Sequence, residues 1–130
     1  MRFRTATALC AALLVAAGAA LAAAPAKKAP RMNAYFATGF DDAAYQKQAV
    51  DKVLKAWAPT SRPAPGKLAV LISKIGRDGK LRELYFHQKS DEAAWDRAAE
   101  TAVEKAAPFP PLPKSYPHDT LEVHWHFEVK

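Results

Sequence analysis

The side chains best suited to chemistry sit near the carboxyl end, where Glu122, His124, His126 and Glu128 occupy every second position. Alternation of this kind puts all four on one face of a strand. An H-x-H pair with flanking carboxylates is the start of a zinc or copper site. A third ligand is needed, and His87 is the nearest candidate in type. In the strand order argued below it lies two strands away, about 10 Å off. A solvated or partner-contacting face is therefore expected rather than a metal centre. The same histidines would gain charge between pH 5 and 7 and weaken the docking of a basic partner. Asp91, Glu92 and Asp96 cluster where a helix begins, and capping accounts for them without paired-carboxylate catalysis. Ser73, Ser90 and Ser115 have no base at nucleophile spacing. Gly76-x-x-Gly79 precedes a strand instead of a helix, so it is a turn and not a phosphate loop. No catalytic residue or cofactor is expected, and a periplasmic metal-binding protein is the weaker alternative that this face leaves open.

These positions need elements to hold them. Trp95, Ala98, Ala99, Ala102, Val103 and Ala106 recur at steps of three and four, which predicts one amphipathic helix with Asp96, Arg97, Glu100, Glu104 and Lys105 facing away. Pro108 ends it. Phe109 and Leu112, in the stiff run Pro108-Phe109-Pro110-Pro111-Leu112-Pro113, are placed to plug an apolar layer. An earlier helix carries Ala49, Val50, Val53, Leu54 and Trp57 on one side and stops before Pro59. Lys67 to Ile75 is apolar at almost every position, as a doubly covered strand is. The turn Arg77-Asp78-Gly79 leads into a second strand, Leu81 to Gln88. The closing strand, Leu121 to Val129, points Leu121, Val123, Trp125, Phe127 and Val129 inward. The expected fold is α+β: a three-stranded antiparallel sheet of order 2-1-3 with two helices on one face. In that order the closing strand is an edge, with free N–H and C=O groups along Leu121, Glu122, Val123, His124, Trp125, His126, Phe127 and Glu128.

The start of the chain has another purpose. Arg2 and Arg4 precede an Ala/Leu-rich run, and Ala20-Leu21-Ala22 is a small-x-small site, which together predict a secretory signal peptide over 1–22. The alternative is an uncleaved inner-membrane anchor facing the periplasm. Cleavage would remove Cys10, the one cysteine, and leave about 108 residues, enough for one small domain without disulfides. The formal charge of +6 would lose the two units of Arg2 and Arg4. No basic stripe interleaves with aromatics, so nucleic acid is not the expected partner. Residues 23–40 mix Ala, Pro and Lys without period and read as a flexible tether; 41–130 form the domain.

From Asp41 to Lys130 the chain resembles the C-terminal domain of the TonB/TolA family. The resemblance rests on Trp57 with Pro59, Arg77-Asp78-Gly79, and Lys89-Ser90. It continues through Trp95-Asp96 with Ala98 and Ala102, the run from Pro108 to Pro113, and a strand ending at Phe127. Trp57-Ala58-Pro59 looks more like TolA. Such a resemblance implies a periplasmic binding domain, not an enzyme. It implies a partner among envelope proteins, either a TonB-dependent receptor or a Tol-system component, captured by β-strand addition. It thereby links the chain to TonB-dependent transport or to envelope integrity. By position the receiving strand would be Leu121 to Val129. The alternative is an oligomerisation module whose edge strands pair into a homodimer. The family's transducers also carry a long spacer. A tether of under twenty residues reaches about 60 Å at full stretch, so partner capture is implied more strongly than force transmission. Membrane contact is expected only if the leader stays.

Overall fold

A computed structural model of the chain describes residues 29–130; the expected leader lies outside them. Six elements follow in order: β1 (Pro30–Phe36), α1 (Ala43–Ala56), β2 (Leu68–Gly76), β3 (Leu81–Gln88), α2 (Ala93–Ala106) and β4 (Thr120–Val129). No helix among the described residues is long and apolar enough to cross a membrane.

The class is α+β, and the sheet is antiparallel with two helices on one face, but it has four strands in the order β1-β4-β2-β3. The three expected strands keep their order, and the fourth comes from the stretch read as tether. Pro30–Phe36 pairs with β4 from Pro30↔Val129 to Phe36↔Val123. Ala29 and Lys130 extend the ladder with reciprocal bonds of 2.7 and 3.2 Å. Met32, Ala34 and Phe36 pair with Phe127, Trp125 and Val123, on the helix-covered face. That alternation was present in the sequence, diluted by proline, alanine and asparagine, which are poor strand formers.

The fourth strand overturns the edge assignment. Leu121, Glu122, Val123, His124, Trp125, His126, Phe127 and Glu128 lie between β1 and β2, which pair with β4 on its two sides. The margin expected to receive a partner is already occupied. The physical reason is burial: Leu121, Val123, Trp125 and Phe127 are all fully buried. A strand carrying that much apolar surface is stable in the middle of a sheet, and residues 30–36 supply the missing neighbour. Each large side chain so buried contributes about 2–3 kcal/mol.

The two helices start differently: α1 has a side-chain cap, whereas Glu92 at the start of α2 makes no capping hydrogen bond, so the carboxylate cap expected there is not formed. The Asp42 carboxylate accepts the Tyr45 N–H at 2.9 Å and caps α1. Tyr45, Ala49 and Val53 face the core, while Leu54 is 44% exposed and Val50 half-buried, so the inward stripe is narrower than expected. In α2, Trp95, Ala99, Ala102, Val103 and Ala106 are buried, and the small residues let the helix lie close to the sheet. Ala98 is only half-buried. Asp96, expected to face water, is buried. Its Oδ1 accepts the Ser90 hydroxyl at 2.7 Å and the Ser90 N–H at 3.0 Å, tying the loop before α2 to the helix. Asp91 instead pairs with Lys67 at 2.8 Å. The acidic cluster therefore divides into separate structural tasks.

The proline run is fastened to the β2–β3 turn. Phe109 N–H donates to Gly79 C=O at 2.8 Å, and Leu112 N–H to Arg77 C=O at 3.0 Å. The Arg77 guanidinium reaches the carbonyls of Pro113, Tyr116 and His118. Tyr45 donates its hydroxyl to Pro110 C=O at 2.8 Å, and burial pushes its pKa up to about 12. Phe109 and Leu112 are buried, whereas Pro111 and Pro108 are exposed.

Candidate functional site

The sheet face turned away from the helices carries the polar residues. Glu122, His124, His126 and Glu128 contribute from β4; Arg31, Asn33 and Tyr35 lie opposite them on β1. Val70, Ile72 and Lys74 continue the rows on β2, followed by Tyr85 and Glu83 on β3. Glu122 Oε1 lies 2.7 Å from His124 Nε2. The Tyr35 ring meets the His126 ring edge-on, with centroids 4.7 Å apart. Lys74 pairs with Glu83 at 3.1 Å. Among the described residues no three His, Cys, Asp or Glu side chains converge as metal ligands. The face is a plated surface rather than a centre.

His126 has its pKa held below the usual histidine value. Burial is the main cause, and the neighbouring His124 and His87 add to it against the opposing charge of Glu128. The folded chain then binds fewer protons than the unfolded chain just below pH 6.5, so stability rises with pH in that window and is lost as pH falls through it. Urea unfolding between pH 7.5 and pH 5 is expected to show this decline, and His126→Asn is expected to flatten it. An equal decline in the variant would place its origin elsewhere.

Among the described residues the two outer strands, β1 and β3, differ in kind. The β1 ladder runs through seven consecutive pairs without a break. The β3 register skips a residue twice, once at Arg82 and once at His87, the mark of bulges that twist an edge away from further pairing. Tyr35, on β1, is 56% exposed. A groove of about 430 Å³ adjoins it, lined by Tyr35, Phe36, Ala37, Thr38, Glu122 and His124. Another groove, of about 600 Å³ between the end of α1 and α2, is lined by alanines and threonines with Arg97 and Lys105, and holds none of the histidines or carboxylates of the sheet face.

Residues 42–127 match the family model described as TonB C terminal. The chain belongs to the TonB C-terminal family. Members are envelope-associated, periplasmic protein-interaction domains, and the family is non-enzymatic. The match is to TonB and does not single out TolA. No curated protein and no solved structure matches the chain. Within the TonB-like span, Trp57, Trp95, Phe109 and Leu112 pack in or against the core, Asp78 and Gly79 shape the turn, and Pro108 and Pro111 are exposed members of the proline run. Strand β1 lies ahead of the span. Arg31, Asn33 and Tyr35, the exposed residues of that strand, were not placed on a strand by sequence reasoning; the alternation Met32, Ala34, Phe36 was the signal that would have found them.

Proposed function

We propose that this TonB-like domain is a periplasmic adaptor that captures an envelope protein by accepting one of its strands along the outer edge of β1. A TonB-dependent receptor or a Tol-system component is the partner class, with a role in transport or envelope integrity. One observation carries the reading: β1 is an unbroken edge, whereas β3 is bulged at both ends. Main-chain bonds along an edge supply affinity, and alternate side chains supply selectivity. Export through a leader at 1–22 fits the same reading, with an inner-membrane anchor as its alternative, and mass spectrometry of the N-terminus in the host distinguishes them.

The test is site-specific photo-cross-linking in cells. A cross-linking phenylalanine at Tyr35 is expected to trap an envelope protein, while the same group at Tyr85 or Leu54, also exposed, is not. Trapping at Tyr85 alone would refute the assignment to β1. Two proline variants sharpen it. Of two neighbouring strand residues, one N–H points at β4 and the other outward, so of Asn33→Pro and Ala34→Pro one should unfold the sheet. The other should keep its melting temperature and lose the adduct. A homodimer through the same edge is the competing occupant; a cross-link between two copies, with a sedimentation mass of two chains, would identify it.

A further inference from the structure

We propose that the groove at the end of β1 is a subsite for a basic side chain, lysine or arginine, of the docked segment. The proposal rests on the strand-addition reading and adds the chemistry of the occupant. Six residues line the groove, and Glu122 is the carboxylate among them. Its side chain is 43% exposed, and its carboxylate lies within hydrogen-bond distance of His124 Nε2, 2.7 Å away. Lys74 stands directly opposite Glu122 in the β2–β4 register and feels its charge, but the bond of its ammonium is to Glu83 at 3.1 Å. Arg31 lies at the far end of β1, opposite Glu128. Glu122 therefore retains capacity for a cation arriving from outside.

The walls suit the stem of such a cation. Tyr35 offers an exposed ring along which methylenes or a guanidinium plane can lie, while the Phe36 ring is turned inward onto Phe40 and Trp125. Ala37 and Thr38 are short, so the side of the groove facing the β1 edge is open. Ala37 N–H bonds to Glu122 C=O at 3.0 Å, which holds the end of β1 beside Glu122. A strand added outside β1 stands two strand spacings from β4, about 10 Å. A lysine and a glutamate reaching toward each other span that distance. The result is one charge-assisted contact in a surface whose remaining affinity comes from the main chain.

Peptide display against the chain, purified as the host processes it, tests this without a known partner. Random nonamers selected for binding are expected to enrich a lysine or arginine at one constant position within an alternating pattern. A synthetic peptide of the enriched sequence should bind Glu122→Gln about ten-fold more weakly, the loss of one charge-assisted contact. It should bind Glu83→Gln, on the far side of the face, as it binds the parent. Tyr35→Phe should keep most of the affinity and Tyr35→Ala should not. Equal melting temperatures establish that the variants fold. Enriched peptides without a basic residue, or indifferent to Glu122→Gln, overturn the subsite and leave strand addition standing. Selection that enriches no alternating sequence removes both.

Discussion

Gly79→Ala is expected to destabilise the domain by about 4 kcal/mol or more, a large share of the 5–15 kcal/mol that holds a domain of this size. The added Cβ would stand 1.9 Å from Phe109 O, 2.9 Å from Phe109 C and 3.1 Å from Pro110 O. All three are backbone atoms, so no side chain can swing aside. Gly79 also has φ +88°, which costs a residue with a Cβ about 1–2 kcal/mol. To escape the clash the proline run must lift off the turn. That breaks the Phe109 N–H to Gly79 C=O bond and draws Phe109 and Leu112 from the core, where each contributes about 2–3 kcal/mol. Gly66 provides the control. Its φ is +94°, yet nothing lies within 4 Å of an added Cβ. Gly66→Ala should therefore show the backbone cost alone. Urea unfolding of both variants decides the matter, and a difference below about 1 kcal/mol would mean that the turn and the proline run are not coupled in this way.

That coupling shows what could be read in advance. The turn residues Arg77-Asp78-Gly79 and the plugs Phe109 and Leu112 were each identified from local chemistry, since tight turns select glycine and prolines stiffen a chain. Their contact joins positions thirty residues apart and leaves no local trace. The same division explains the site. The alternation from Leu121 to Val129 fixed the faces of β4, and those faces are as expected, with histidines and glutamates away from the helices. Periodicity reports which side chains share a face, but it is silent about which neighbour lies beside a strand. That question was settled by Met32, Ala34 and Phe36, three residues in a stretch whose composition resembles a linker. With β4 paired on both sides, the strand addition proposed above falls on β1 instead, beside Tyr35 rather than His124 and Phe127. The Asp96 error is of the same kind: helical spacing turned it outward, and the Ser90 hydrogen bonds, made by the loop before the helix, drew it in.

Two tryptophans of the aromatic cluster should separate sharply on substitution. Trp95 is fully buried and donates its Nε1–H to Phe127 C=O at 3.1 Å. Trp57 packs against both, with ring centroids 5.3 Å from Trp95 and 5.1 Å from Phe127, but it is only half-buried. Its Nε1 is buried without a hydrogen-bond partner among the described residues. Trp95→Ala is expected to cost about 3–5 kcal/mol, the range for emptying a core aromatic site. Trp57→Ala should cost less than half of that, because water already reaches part of the ring. The phenylalanine variants distinguish the polar contributions from the packing. Trp95→Phe leaves the Phe127 carbonyl one bond short and should lose about 1 kcal/mol beyond its lost area. Trp57→Phe removes a donor that is desolvated and unpaired, a group whose burial is itself costly, so its loss should be near zero or a gain. Chemical unfolding followed by far-ultraviolet circular dichroism gives all four values. A Trp57→Phe cost equal to that of Trp95→Phe would show that the Trp57 ring holds the Ala58–Gly66 link through its nitrogen after all. The helix-to-strand connection ahead of β2 would then be fastened by a polar contact rather than by aromatic packing.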